Sequence, residues 1–311
     1  MQQAAIANPV LVLVGPTAIG KTALSLRLAK HYDGEIISLD SMQVYRHMDI
    51  GTAKIKPEEM AGVPHHLIDI VNPDEKYDAA RFVSDARRAM AVIRQRQRLP
   101  LLVGGTGLYL KALTAGLFAG VPENPTIRAE LQRRLATEGS YKLHEELSVC
   151  DCISANKIHH NDTARIIRAL EIFQASGVPW SVHLQRQAET QNSLNTEAYL
   201  FLGLTIAREE LYNRINTRTK QMLAAGLAEE VQDLLAMGYG DCNAMGAIGY
   251  RHMVQYLAGG CSEAEMTDLL ARDTRRYAKR QYTWFNKIPQ IEWFSPDDYS
   301  AIVARIDTFL A

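Results

Sequence analysis

The sequence predicts an α/β fold, with a parallel sheet, helices packed on it, and a helical insertion. Three observations carry this. The run Val10-Leu11-Val12-Leu13-Val14 is continuously apolar and ends directly in a glycine-rich loop that opens a helix. Two more apolar runs, Glu35-Ile36-Ile37-Ser38-Leu39-Asp40 and Leu99-Pro100-Leu101-Leu102-Val103, alternate with helical stretches, the order that builds a parallel sheet. Unbroken apolar runs of this kind mark strands covered on both faces. Strand signals then stop from about residue 116 and return only at Tyr199-Leu200-Phe201-Leu202-Gly203-Leu204.

The chain has 311 residues, enough for two domains or one domain with a large insertion. Its 34 Lys and Arg oppose 35 Asp and Glu, a net charge of −1 that argues against an acidic tail or a general polyanion coat. A local basic face remains open, because binding of nucleic acid depends on where charge sits. The four cysteines, Cys150, Cys152, Cys242 and Cys261, include no Cys-x-x-Cys pair. That weighs against a zinc ribbon and against a disulfide scaffold, and favours a reducing compartment. The first nine residues carry no basic leader, and the apolar run after them is far shorter than the ~20 residues of a membrane span. A cytoplasmic protein with no membrane contact is the expectation.

The first strand runs into Gly15-Pro16-Thr17-Ala18-Ile19-Gly20-Lys21-Thr22, which is Gly-x-x-x-x-Gly-Lys-Thr. The amphipathic stretch Ala23-Leu24-Ser25-Leu26-Arg27-Leu28-Ala29-Lys30 follows. Strand, loop and helix in this order are the context a P-loop requires. Its backbone N–H groups and the helix N-terminus cradle phosphate. Lys21 is placed to reach an outer phosphate and the Thr22 hydroxyl to ligate Mg²⁺. The loop therefore implies a di- or triphosphate ligand, on a P-loop NTPase-like core.

The second strand delivers Asp40 to the same sheet edge as the P-loop, where ligands of open parallel sheets bind. A carboxylate there can accept a proton from an incoming nucleophile or orient Mg²⁺ through water. The alternative is that Asp40 caps the helix that follows. The third strand ends in Gly104-Gly105-Thr106-Gly107-Leu108-Tyr109 rather than in a Walker-B aspartate, which weighs against ATP hydrolysis. In Pro64-His65-His66-Leu67-Ile68-Asp69 the adjacent histidines point to opposite faces of a strand, so a structural or hydrogen-bonding role is expected rather than a metal site. Residues 67–71 read as a further short strand. Residues 78–98 read as an amphipathic helix whose Arg94, Arg96 and Arg98 form a solvated C-terminal end.

The core is thus placed at residues 1–115 and 198–311 and the helical insertion at 116–197. In the insertion, Asp162 is a candidate N-cap, and Arg165 and Arg168 share one helix face suited to phosphate. The competing reading for Arg168 is a salt bridge to Glu171. After the returning strand, a helix from Arg208 carries Arg214 and Arg218, and residues 244–251 read as a glycine-punctuated loop. On a helix over 272–285, Arg272, Arg275, Arg276, Lys279 and Arg280 form a basic stripe opposed by Asp273 alone. Thr274, Tyr277, Ala278, Gln281 and Phe285 fall on the other face. Such a stripe is a nucleic-acid or polyphosphate footprint.

Together the P-loop, Asp40-Ser41-Met42-Gln43-Val44-Tyr45, Gly51-Thr52-Ala53-Lys54, the histidine segment, Val103-Gly104-Gly105-Thr106-Gly107-Leu108-Tyr109, Gly249-Tyr250-Arg251 and Ala278-Lys279-Arg280-Gln281-x-Thr283-Trp284 resemble the bacterial tRNA dimethylallyltransferase family. The resemblance implies transfer of a dimethylallyl group from its diphosphate to N6 of adenosine 37 in the tRNA anticodon stem-loop. By the same resemblance the P-loop residues Gly15, Pro16, Thr17, Ala18, Ile19, Gly20, Lys21 and Thr22 hold the donor diphosphate. Asp40 is the general base, Arg214 meets the departing diphosphate, and Mg²⁺ sits at Thr22. Asp40, Ser41, Met42, Gln43, Thr106, Arg128, Ala164, Arg165, Ile166, Ile167, Arg168, Gly246, Ala247, Ile248, Gly249, Tyr250 and Arg251 contact tRNA, joined by Arg275, Arg276, Lys279 and Arg280. The helical insertion and the basic helix are the expected clamps, and the protein is expected to act as a monomer. Asn286 stands where many members of that family carry a basic residue after the Thr-Trp motif. Other classes stay open on the residues alone: a P-loop small-molecule kinase with Asp40 as base, an ATP-dependent RNA-binding module, and a prenyl transferase acting on free adenine nucleotide.

Overall fold

A computed structural model describes residues 8–116, 121–191 and 197–311. The first seven residues, where the missing basic leader was read, lie outside them, as do parts of the insertion's two junctions. Contacts divide the chain into two compact units, Met1–Leu113 with Thr196–Ala311, and Thr114–Asn195.

The first unit is a core built on strands β1 (Pro9–Val14), β2 (Gly34–Leu39), β3 (His65–His66), β4 (Leu99–Gly104), β5 (Ala198–Leu204) and β6 (Glu292–Phe294). They form one sheet in the order β3-β2-β4-β1-β5-β6, every pair parallel. The central strand β1 pairs Leu11 with Leu101 on one side and with Leu200 on the other. Parallel strands are linked by crossover helices, here α1 (Lys21–His31), α2 (Ala79–Gln95) and α3 (Gly107–Ala115). Leu11, Leu13, Leu24, Leu28, Leu101, Leu202 and Ile302 belong to the buried core against the sheet.

The short strand lies at His65–His66, not at 67–71. Leu67 and Asp69 have positive φ values of 63° and 55°, which break an extended run, and only Val71 makes an isolated bridge, to Tyr45. His66 Nε2 lies 2.6 Å from the buried Glu35 carboxylate and His65 Nδ1 2.9 Å from the Val63 carbonyl. The histidines serve hydrogen bonds, and among the described residues no group of three or more His, Cys, Asp or Glu side chains could hold a metal ion.

The α2 end differs from its expectation. The helix starts after Asp78, whose side chain accepts the Ala80 and Arg81 N–H groups, and ends at Gln95. Arg94 pairs with Glu197, while Arg96 and Arg98 reach the buried Glu35. All three pair with carboxylates, and Arg96 stays exposed while doing so, so the end of the helix is both solvated and paired. No described helix is long and apolar enough to cross a membrane.

The second unit holds α4 (Pro125–Glu138), α5 (Ser140–Cys150), α6 (Cys152–Lys157), α7 (Thr163–Ser176) and α8 (Trp180–Gln191), with no strand among its described residues. Asn124 caps α4 ahead of Pro125 at its first turn, and Asp162 caps α7 by accepting the Arg165 N–H. Leu131, Leu143, Leu147, Ile166 and Leu170 make a separate apolar core.

The chain then returns to the first unit through β5 and continues as α9 (Arg208–Ala224), α10 (Leu227–Ala236), α11 (Tyr250–Leu257), α12 (Glu263–Phe285) and α13 (Tyr299–Leu310). Of the stretch read as a loop at 244–251, residues 247–249 form a bend and turn, between a short helical turn, Asn243–Gly246, and the start of α11 at Tyr250. Ser262 and Glu265 close a reciprocal capping box at the start of α12.

Candidate active site

The phosphate cradle forms between β1 and α1. Gly20, which precedes α1, has φ 106°, a conformation that side chains rarely adopt. A Cβ on Gly15 would sit 3.1 Å from the Leu204 carbonyl oxygen of the neighbouring strand β5. Lys21 opens α1 and donates to the carbonyl oxygens of Gly15 at 3.0 Å and Pro16 at 2.7 Å. Burial lowers its pKa to about 7, with the Asp40 charge opposing and the Arg218 charge adding to the fall. Thr22 stands beside it, exposed on the first turn.

On the other side, Asp40 follows β2. Its Oδ1 accepts the N–H of Met42 at 2.8 Å and of Gln43 at 3.4 Å. The carboxylate thus caps a turn, not a helix, and its Oδ2 accepts no protein hydrogen bond among the described residues. The Thr106 hydroxyl oxygen accepts the Ser41 N–H at 3.1 Å, tying the end of β4 to the same turn. Gln43 reaches the carbonyls of Thr52 and Ala53. That loop is strapped by Glu230, whose carboxylate accepts the N–H groups of Asp49, Ile50 and Gly51 and the Tyr250 hydroxyl at 2.6 Å. Residue 51 must lack a side chain, since a Cβ there would lie 2.5 Å from the Tyr250 ring.

These two sides face one cavity of about 950 Å³, lined by the P-loop from Thr17 to Thr22, by Asp40, Ser41, Met42 and Gln43, and by Arg214, Arg218, Tyr277, Arg280 and Gln281. Gly246, Ala247, Ile248, Tyr250 and Arg251 complete the wall. Arg214 donates to the Ile19 carbonyl at 3.2 Å and is braced by Glu210 one turn earlier. Burial lowers the Arg218 pKa, and the Asp40 charge counters it. Burial raises the Tyr277 pKa and the Asp40 charge adds to that, while hydrogen bonding with Thr106 and Gln281 opposes it. Arg218, Tyr277, Gln281 and Glu230 were not among the expected site residues. Arg218 had a signal, its spacing of four from Arg214 on one helix face.

The expected RNA residues divide. Tyr250 is fully buried, so its ring shapes the wall from behind rather than offering a stacking surface. The Ile166 and Ile167 side chains are buried in the insertion's own core. Arg168 and Arg128 both bond the buried Glu171 at 2.8 Å, and Arg168 also donates to the Val121 carbonyl. The salt-bridge reading of Arg168 is thus the arrangement observed. Ala164 and Arg165 are exposed on α7, Arg165 beside Asp162. The stripe on α12 is divided too. Arg272 and Arg276 approach Asp273, which also accepts from Arg251 at 2.7 Å. Arg275 bonds Asn216 and stacks over Tyr212. Arg280 lies over Tyr277 at the cavity, and Lys279 is exposed.

Comparison with known proteins decides the family. A model of the IPP transferase family matches residues 43–288, and one described as isopentenyl transferase matches residues 8–71. The chain belongs to the IPP transferase family. It is 52% identical to the tRNA dimethylallyltransferase of Desulfotalea psychrophila over 306 residues, covering 98% of this chain and 96% of that one. A crystal structure of the tRNA isopentenylpyrophosphate transferase of Bacillus halodurans is similar with a TM-score of 0.70 at 43% identity, over 97% of this chain and 95% of that one. A eukaryotic dimethylallyltransferase described as acting on tRNA has a TM-score of 0.74 at 28% identity, over 97% and 77%. The family is one of prenyl-transferring enzymes that modify tRNA, and its solved members carry the P-loop NTPase-like core described above.

Proposed function

We propose that this chain transfers a dimethylallyl group from dimethylallyl diphosphate to N6 of adenosine 37, beside the anticodon of tRNA, releasing diphosphate. The observation that carries this reading is that the P-loop and Asp40 line one cavity. The exocyclic amine is a weak nucleophile because its lone pair is delocalised into the ring. Its nitrogen attacks the allylic carbon, the carbon–oxygen bond breaks with its electron pair going to diphosphate, and the N6 proton passes to Asp40. Most of the acceleration falls on the leaving group. The P-loop N–H groups, Lys21 and Arg214 oppose the charge that develops there, and Arg218 adds a further, half-buried cation.

The Thr22 hydroxyl and the Asp40 carboxylate are hard oxygen donors on the same cavity, the set that Mg²⁺ takes together with phosphate oxygens and water. Thr22 would hold the ion directly and Asp40 through water, and the ion would supply charge neutralisation at the diphosphate. The target base lies in a structured loop and must be extruded to enter the cavity. Ser41, Met42, Gln43, Thr106 and the wall from Gly246 to Arg251 receive it, while Arg165, Lys279, Arg280 and their neighbours hold the RNA backbone. The chain is read as a monomer acting in the cytoplasm.

Incubation with an anticodon stem-loop, dimethylallyl diphosphate and Mg²⁺, followed by mass spectrometry, tests the reading. Prenyl mass confined to the adenosine 3′ of the anticodon supports it. Modification of free AMP but not of the stem-loop, or ATP consumption without added mass, overturns it.

A further inference from the structure

We propose that Gln281 is a positioning residue that holds the diphosphate loop and the acceptor-base loop in one fixed register. The proposal rests on the functional reading above and names a group which that reading does not use.

Gln281 lies near the end of α12 and is 6% exposed. Its Oε1 accepts the Thr17 N–H of the P-loop at 2.9 Å, and its Nε2 donates to the Gly105 carbonyl at 3.0 Å. A backbone N–H only donates and a backbone carbonyl only accepts, so these two partners fix which way the amide is turned. Gly105 sits beside Thr106, and both N–H groups bond the Leu39 carbonyl immediately before Asp40. Thr106 in turn holds the Ser41 N–H. One buried amide therefore joins the loop that takes the diphosphate to the turn that carries the base.

A second observation agrees. A Cβ on Gly105 would lie 2.1 Å from Gln281 Nε2, so a side chain there would displace the amide from its two partners. Ala278 and Phe285, on the same side of α12, are fully buried and anchor the helix there. Both loops line the cavity in which the two reactants must meet, and a misplacement near 1 Å costs roughly 100-fold in rate. Gln281 sets that separation through its two backbone partners.

The test compares wild type, Gln281→Met and the isosteric Gln281→Glu as full chains, each checked by thermal melting. Kinetics are followed over a pH series, with kcat and KM measured separately. Gln281→Met loses both bonds, and kcat is expected to fall roughly 100-fold, with the stem-loop KM little changed at every pH. Gln281→Glu keeps the acceptor for Thr17 but, when ionised, sets an oxygen against the Gly105 carbonyl. On acidification the protonated acid donates to Gly105, so its kcat relative to wild type rises, whereas the Gln281→Met ratio stays flat. A Gln281→Glu ratio that does not change with pH, or a Gln281→Met kcat within about twofold of wild type, overturns the proposal. A wild type that transfers no prenyl group overturns the functional reading instead. Register is then read from calorimetric binding of inorganic diphosphate, which Gln281→Met is expected to weaken about tenfold; unchanged affinity overturns the positioning role.

Discussion

The Lys21 ammonium donates to the Pro16 carbonyl oxygen at 2.7 Å, so the charge meant for phosphate is held by its own loop. Burial brings its pKa to about 7. A diphosphate on the loop favours the charged form and raises that value again. Binding therefore takes up a proton above about pH 7, and affinity for inorganic diphosphate falls by up to about tenfold per pH unit there. Calorimetry in buffers of different ionisation heat measures this uptake, after subtraction of the ligand's own titration. Lys21→Met should lack the lysine's share, and equal uptake in the variant contradicts the assignment. The sign for stability is opposite. Between the folded value of about 7 and the ordinary lysine value of 10.5 the unfolded chain binds more protons, so without diphosphate stability rises with pH through that window.

Asp40→Asn retains an oxygen for the Met42 and Gln43 N–H groups, so the turn should survive. What it loses is the capacity to take a proton. The expected outcome is a kcat lowered about 10²- to 10⁴-fold, with stem-loop affinity nearly unchanged. A variant that prenylates at close to the wild-type rate removes Asp40 from the role of base.

Glu171 is fully buried among Arg128, Arg168 and the Asn124 N–H. Burial alone would raise its pKa, but the bonds from Arg168, Asn124 and Arg128 outweigh it and the net shift is downward. Glu171→Ala leaves two guanidinium groups without their shared partner and should cost about 3–5 kcal/mol, read as lower resistance to urea. Because the folded pKa is depressed, this stabilisation is present above the unfolded value of about 4.3 and fades as pH falls through the folded one. An insertion that melts identically with alanine at neutral pH would refute it.

The α12 cations should differ in their grip on RNA. Lys279 is exposed, while Arg272 and Arg276 already approach Asp273. Lys279→Ala is expected to weaken stem-loop binding uniformly and to reduce the slope of log affinity against log salt by about 1. Arg272→Ala should change that slope less. Binding that scarcely responds to salt contradicts a phosphate role for the stripe.

Legibility followed the distance between partners. The P-loop, Asp40 and the empty Walker-B position were readable because each is a short contiguous signal at a strand end. Gln281 was visible only as a residue on one face of a helix, since its partners Thr17 and Gly105 are far away in the chain. The pairing of Arg94, Arg96 and Arg98 with Glu197 and Glu35 is invisible to periodicity, because those carboxylates lie on other elements. Ile166 and Ile167 were placed on an RNA path together with Arg165, although apolar side chains in a helix turn toward whatever core it packs on.

By itself the sequence determined the strand–loop–helix cradle, the order of sheet and insertion, and the chemistry of the residues at the sheet edge, because these depend on local backbone preference and residue type. Only the tertiary structure decided which arginines remain available and which are spent on Glu35, Glu171 and Asp273, and that one buried amide spans the two loops. The reason is physical: ion pairs and buried hydrogen bonds form within about 3–4 Å, and that proximity arises only when distant segments pack together.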